Sequence, residues 1–168
     1  MCILIMEWIK IEDYDYSVNR NGEVRNDKSE RIMKCGIDKG YYNVGLSKNG
    51  KQTRYLLHRL IAKSFLPNPN NYLFIDHKNC VRSDNTIENL RWCNRSQNGR
   101  NRKKWENTSS NYKGVCFFKT NNKWLASTTY NGKKKHLGYY KTELEAAGVY
   151  NNFIRENNLE DFNILNIV

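Results

Sequence analysis

Through the first third of the chain, apolar residues come in short runs broken by polar turns. Residues 7–57 therefore read as short strands. The segment Tyr41-Tyr42-Asn43-Val44-Gly45-Leu46 roughly alternates, and Thr53-Arg54-Tyr55-Leu56-Leu57 returns after Ser47-Lys48-Asn49-Gly50-Lys51. Asn-Gly supplies the positive φ angles that a hairpin turn requires. The period then changes. Leu57, Leu60, Ile61 and Ser64-Phe65 fall at helical spacing, and Pro67 and Pro69 end that helix. Tyr72-Leu73-Phe74-Ile75 predicts a short strand running into Asp76, followed by a polar loop of about ten residues. Leu90-Arg91-Trp92 predicts a second short strand. Residues 95–104 are polar and basic and predict a helix with Asn94 as N-cap.

Residues 100–111 are charged and poor in apolar side chains. They read either as a solvated helix end or as a basic strap on a phosphate backbone. A second compact unit follows. Residues 112–118, 123–130 and 135–140 predict three strands, with turns at Thr120-Asn121-Asn122 and Asn131-Gly132-Lys133. Thr142-Glu143-Leu144-Glu145 has the form of a capping box. Leu144, Ala147, Tyr150-Asn151 and Phe153-Ile154 give the following helix an apolar stripe, expected to be core. Trp124 shares the parity of Ala126 and is expected in the same core. The fold class expected is α+β.

The 168 residues suffice for one ordinary domain or two small ones. The formal net charge of +11 suggests a polyanionic partner, because lysines and arginines that neutralise phosphates release condensed counterions. The plainer alternative is a basic protein with no such partner. Cysteine is present at positions 2, 35, 80, 93 and 116, an odd number without a C-x-x-C pair. That argues against a disulfide framework or a Cys-rich zinc site and for an intracellular, reducing compartment. The opening MCILIM is apolar but short, and Glu7-Trp8 follows at once. It reads as a first strand, or as residues preceding a start at Met6, and not as a secretion signal. No run is long enough to span a bilayer. Asparagine and lysine abound throughout, as in proteins from AT-rich genomes.

Asp76-His77 carries the candidate chemistry. Phosphodiester hydrolysis needs a nucleophilic water, charge neutralisation at the phosphoryl group and stabilisation of the leaving 3′ oxygen. A hard divalent cation on oxygen ligands meets the last two needs. Asp76 offers an anionic oxygen and Asn98 a neutral one. His77, with an ordinary pKa of about 6.5, can take a proton from water. Adjacent strand residues point to opposite faces, so Asp76 and His77 can share a site only where the strand ends.

The ordered set Leu57-His58-Arg59-Leu60-Ile61-Ala62-Lys63-Ser64-Phe65-Leu66-Pro67-Asn68-Pro69, Asp76-His77, Asn85, Glu88-Asn89-Leu90-Arg91-Trp92 and Ser96-Gln97-Asn98 resembles the HNH homing endonucleases. More narrowly, it is similar to the H-N-N subgroup of phages, introns and large DNA viruses. The resemblance implies a ββα-metal core. Asp76 would be a metal ligand, His77 the general base, and Asn89 the residue that pins the loop and orients that base. Asn98 would be the second metal ligand. One Mg²⁺ or Mn²⁺ ion per active site is implied. The sequence departs from the family at Asn79-Cys80, where Asp-Gly is usual, which bears on the loop conformation. His58 is read as structural or phosphate-contacting.

Glu7-Trp8-Ile9, Tyr14, Tyr16-Ser17-Val18 and Asn21-Gly22-Glu23-Val24-Arg25 resemble a small N-terminal motif that accompanies many of these nucleases. Tyr112-Lys113-Gly114-Val115, Lys123-Trp124-Leu125-Ala126, Leu137-Gly138-Tyr139-Tyr140, Glu145-Ala146-Ala147 and Tyr150 are similar to the APETALA-type (ethylene-response-factor) DNA-binding domain. There a three-stranded sheet lies in the major groove, with DNA-facing positions falling here at Lys113, Cys116, Ser127, Thr129, Lys134 and His136. Several of these are Arg or Trp in the plant proteins. Cys116 and Thr129 cannot make a bidentate contact to guanine, which implies a different sequence preference.

The expected layout is an N-terminal β-rich DNA-contacting lobe (1–56), a nuclease core (57–104), a linker (105–111) and the APETALA-type domain (112–168). The expected DNA-binding side chains are His58, Arg59, Arg91, Arg95, Arg100, Arg102, Lys103, Lys113, Lys123, Ser127, Thr129, Lys134 and His136. The function expected is a site-selective endonuclease on double-stranded DNA, leaving 5′-phosphate and 3′-hydroxyl ends. It would be a monomer without a protein or membrane partner. With one H-N-N set in the chain, nicking of one strand is expected. The rival is a catalytically inactive DNA-binding protein. Such a copy would have lost one of Asp76, His77 or Asn98, and all three are present. RNA binding ranks below both, because the aromatic residues form no RNA-stacking signature.

Overall fold

The computed structural model describes residues 7–104 and 106–168, so the expectation for MCILIM and the start of the linker at Trp105 lie outside the described residues. Two compact units divide between Asn94 and Arg95.

In the first unit, β1 (Trp8–Lys10), β2 (Tyr16–Asn19) and β3 (Val24–Asn26) form an antiparallel meander. A second three-stranded sheet follows, made of β4 (Gly36–Asp38), β5 (Tyr41–Lys48) and β6 (Lys51–Leu56). The β5–β6 turn has Asn49 at φ 52° and Gly50 at φ 75°, the paired positive angles of a two-residue hairpin. Helix α1 (Leu57–Phe65) starts directly from β6. Its buried face is Leu57, His58, Leu60, Ile61 and Ala62, a spacing of three and four residues. It stops at Leu66, the residue before Pro67, where the proline ring disfavours helical backbone. Strands β7 (Phe74–His77) and β8 (Leu90–Cys93) complete the unit as an antiparallel pair.

One hydrophobic core joins these elements. Val18 and Val24 from the first sheet, Val44 and Leu46 from the second, Leu60 and Ile61 from α1, and Ile75 and Leu90 from the β7–β8 pair all belong to it. The β7–β8 pair is thus packed, through α1, on the N-terminal strands.

The second unit begins with α2 (Arg95–Arg100), which ends four residues short of the expected Lys104. None of its residues is buried, so no packed face extends it. Strands β9 (Val115–Phe118), β10 (Lys123–Tyr130) and β11 (Lys133–Tyr140) form an antiparallel sheet in the order β11-β10-β9. Strand β9 starts later than expected because Gly114 turns the chain at φ 75°. A Cβ there would stand 2.2 Å from the Tyr150 ring, so only glycine fits. Strand β11 starts earlier than expected, because Asn131-Gly132 alone makes the turn (φ 48° and 75°). Trp124 is half-buried and packs against the core of Val115, Ala126, Ala146 and Ala147.

Helix α3 (Glu143–Glu156) carries the capping box in full: Thr142 accepts from the Glu145 backbone, and Glu145 accepts from the Thr142 backbone N–H. The apolar stripe needs a correction. Leu144 is 55% exposed, and the buried face is Ala146, Ala147, Tyr150, Asn151 and Ile154. Leu144 lies roughly a quarter turn off the centre of that face. The two alanines let the sheet approach instead. Asn151 and Asn166 exchange hydrogen bonds of 2.8 Å, and Asn166 in turn pairs with the Lys113 backbone, tying the C-terminal segment to α3 and to the start of β9.

Candidate active site

Asp76 and Arg91 stand directly opposite each other in the β7–β8 register. Arg91 Nε donates to Asp76 Oδ2 at 2.8 Å, and Nη2 lies 2.7 Å from the same oxygen. The Asp76 side chain is 5% exposed, so this carboxyl group lies at depth beside a matched cation. Cys93, on the same strand as Arg91, is fully buried. Burial, helped by the Asp76 charge, pushes its thiol up to about 11, so it is an inert core group.

His77 is the last residue of β7. The chain turns there, with the Cys80 N–H donating to the His77 carbonyl at 2.9 Å. His77 Nε2 is 3.0 Å from Asn85 Oδ1. A carbonyl oxygen accepts, so this contact favours the tautomer with hydrogen on Nε2 and places the basic lone pair on Nδ1. Three rings crowd together here. His58 meets His77 edge to face at 5.1 Å, and Tyr41 lies 5.2 Å from His58 and 6.0 Å from His77. The Arg82 guanidinium lies over the Tyr41 ring at 5.1 Å, anchored by a bond to the Lys39 carbonyl. Burial lowers His58 to about 4, with His77 and Arg59 adding to the effect, so His58 is neutral. Its Nδ1 is buried without a hydrogen-bond partner.

The loop between β7 and β8 is held from its far end. Asn89 Oδ1 accepts from the Asn79 N–H at 3.0 Å, and Asn89 Nδ2 donates to the Asp84 carbonyl at 2.7 Å. The Lys78 N–H donates to the Asn89 carbonyl at 2.8 Å. One residue thus fastens the loop's start and middle. Asn79 also donates to Asp84 Oδ2 at 2.6 Å and accepts from the Val81 N–H at 2.8 Å. Hydrogen bonds from Thr86, and then from Asn79, hold the Asp84 carboxyl below the usual range. Cys80 adopts φ 59°, the left-handed turn conformation that glycine fills without strain.

The first unit therefore brings together Asp76, His77, Asn89, Arg91 and His58. Arg59 is turned to the Leu73 carbonyl, at 3.3 and 3.4 Å. Asn98 and Arg95 lie on α2 in the second unit, with Arg100 at its end and Arg102 and Lys103 exposed beyond it. Lys113 Nζ donates to the Arg100 carbonyl. In the β10–β11 register Ser127 faces His136 and Thr129 faces Lys134, so these four share one face of the sheet. Lys123 starts β10, exposed. Three residues in the site had no role assigned from the sequence: Asn85, Tyr41 and Arg82. Asn85 stood in the motif pattern itself. Nothing local marks Tyr41, which reaches His77 only through the folding of β5 onto α1.

Comparison with known proteins follows the same outline. Residues 55–100 match the family model described as HNH endonuclease, and residues 6–47 match that of the NUMOD4 motif. DNA endonuclease I-HmuI of Bacillus phage SP01 is 38% identical over 99 residues, 57% of this chain and 57% of that protein. Uncharacterized HNH endonuclease L245 of Acanthamoeba polyphaga mimivirus is 35% identical over 96 residues, 56% of this chain and 29% of its own length. H-N-H endonuclease F-TflI of Escherichia phage T5 is 35% identical over 89 residues, 51% of this chain and 46% of that one. A solved structure, titled DNA binding and cleavage by the HNH homing endonuclease I-HmuI, superposes with a TM-score of 0.53 over 56% of each chain. The chain spans between 29% and 57% of the length of these relatives. Fold and site define an HNH-type α+β region. Residues 55–100 are thus similar to HNH endonucleases and residues 6–47 to the NUMOD4 motif, with homing endonucleases among the proteins the chain resembles.

Proposed function

We propose that this chain is a site-selective DNA endonuclease of the homing type, hydrolysing phosphodiester bonds and nicking one strand of double-stranded DNA. The observation that carries the reading is the pairing of a buried carboxylate, Asp76, with the strand-terminal His77, on a loop fastened by Asn89. His77 takes the proton from the attacking water, at Nδ1 if Asn85 holds hydrogen on Nε2. Asn85 and the His58 and Tyr41 rings fix the imidazole plane. Asn89 keeps the loop from carrying His77 away. The residues match a hard divalent cation, Mg²⁺ or Mn²⁺. Among the described residues no three His, Cys, Asp or Glu side chains gather as a metal cage, and a hard ion of this kind uses one or two carboxylates while keeping oxygens of water and substrate. Asp76 is the ligand offered by the first unit, and Asn98 is carried over from the motif pattern as the second. Bound there, the ion supplies charge neutralisation at the phosphoryl group and at the leaving 3′ oxygen.

The second unit is proposed as an APETALA-type DNA-binding domain, supported by its three antiparallel strands packed on one capped helix. The shared face of Ser127, Thr129, Lys134 and His136 would meet DNA, with Lys113 and Lys123 beside it. Arg95, Arg100, Arg102 and Lys103 form the basic strap, while His58, Arg59 and Arg91 contribute from the first unit. The protein would act as a monomer in a reducing intracellular compartment. The test is a supercoiled plasmid carrying candidate host or viral DNA, incubated with Mg²⁺, with EDTA, and with His77→Ala. Metal-dependent open-circular product, lost in His77→Ala, is the expected result. Binding that leaves the plasmid intact on several targets would favour the inactive DNA-binding protein.

A further inference from the structure

The second unit holds a cavity of about 340 Å³ whose wall is cationic. Arg100 lines it from the end of α2 and Arg102 from the segment after it, Lys113 from the approach to β9, and Lys134 from β11. The hydroxyl side chains of Ser127 and Thr129 line it from β10, and no Asp or Glu is among the lining residues. Four cationic side chains around one small space make its potential positive. The arrangement is braced, since Lys113 Nζ donates to the Arg100 carbonyl. Arg100 Nε is buried and lacks a hydrogen-bond partner, a donor left open. An oxyanion fits this lining, offering acceptor oxygens to guanidinium, ammonium and hydroxyl donors at once.

We propose that this cavity is a single seat for one phosphate oxyanion, occupied by a DNA backbone phosphate when the protein is on DNA. The inference rests on the DNA-binding part of the proposed function. It differs from a spread of separate contacts, because Arg102, Lys113 and Lys134 then converge on the same phosphate.

Salt dependence separates the two arrangements. The full chain, wild type and Arg102→Gln/Lys113→Gln/Lys134→Gln, is titrated on a duplex across a salt series, with melting curves confirming that both fold. One shared seat loses about 0.9 in the slope of log K against log salt, whereas three separate phosphates would lose about 2.7. In parallel, inorganic sulfate is titrated without DNA while the Gly99 and Gly114 amide resonances, which report on the cavity wall, are followed. Shifts in the wild type that vanish in the triple variant are expected. A slope loss near 2.7, or glycine resonances that sulfate leaves unmoved, overturns the shared seat. Sulfate shifts without any DNA binding by the wild type would keep the oxyanion pocket and overturn DNA as its occupant. Cleavage has a separate control in His77→Ala, so failure of the nuclease reading would not be mistaken for failure of the pocket.

Discussion

Arg91 places both Nε and Nη2 on a single carboxylate oxygen of Asp76, from the position directly across the β7–β8 pair. Removing the cation leaves a buried carboxylate without its matched charge, a change that costs about 3–5 kcal/mol in buried pairs. Arg91→Met is therefore expected to lower the urea midpoint sharply in EDTA. Added Mn²⁺ should recover part of the loss, since a cation at Asp76 replaces the missing charge. A variant that unfolds at the wild-type midpoint would show that Asp76 does not depend on Arg91.

Asn89 joins the Asn79 N–H to the Asp84 carbonyl through one carboxamide. Asn89→Ala removes both bonds and leaves a part-buried donor and acceptor unmatched, at about 1–3 kcal/mol. The loss should be local. Hydrogen exchange at the Asn79 amide is expected to accelerate while amides in β5 and β6 keep their protection. Uniform acceleration across the first unit would mean that Asn89 supports the whole fold and not the loop.

Much of this was legible in the sequence. The turn at Asn49-Gly50, the helix from Leu57 and the capping box at Thr142 follow from local rules, and the structure has each of them, whereas the strand expected over residues 72–75 lies two residues later, at Phe74–His77. Leu144 was misplaced because helical spacing alone does not fix the centre of a buried face. Two small alanines one turn further on decided it. Asn19, Asn151 and Asn166 looked like compositional bias. In fact Asn19 accepts from the Asn21 and Glu23 backbones at 3.1 and 2.9 Å, the Asn151 carboxamide pairs with the Asn166 backbone, and the Asn166 carboxamide pairs with the Lys113 backbone. Carboxamide bonds of this kind depend on a partner's position and leave no periodic trace. The same holds at the site. Asp76 and His77 were visible as neighbours, but Tyr41 joins them only through tertiary packing.

Cys80 occupies the left-handed conformation at φ 59°, where a side chain costs about 1–2 kcal/mol. Glycine relieves that strain but loses more chain entropy on folding, which offsets part of the gain. Cys80→Gly is expected to stabilise the protein by about 0.5–1 kcal/mol, read as a raised urea midpoint. Cys80→Val, branched at Cβ, should lower it. The reverse order would mean that the Cys80 side chain makes contacts worth more than the backbone strain.

His58 makes the stability of the first unit depend on pH. Its ordinary value is 6.5, and in the folded protein burial, His77 and Arg59 bring it down to about 4. Above pH 6.5 the ring is neutral in both folded and unfolded chains, and it contributes no pH dependence. Between pH 6.5 and 4 the unfolded chain binds a proton that the folded chain refuses, so stability falls as the pH is lowered. Below about 4 both states are protonated and the loss stops growing. At pH 5, about 1.5 units below the unfolded value and still above the folded one, the His58 share of that loss should be about 2 kcal/mol. Phenylalanine fills a similar volume and cannot titrate. The drop in unfolding free energy from pH 7.5 to pH 5 is therefore expected to be smaller in His58→Phe than in the wild type. Taking the difference between the two pH values within each protein removes any constant effect of the substitution on packing. Equal drops in the two proteins would show that His58 protonates as readily folded as unfolded, and that the ring contact with His77 survives on a charged imidazole.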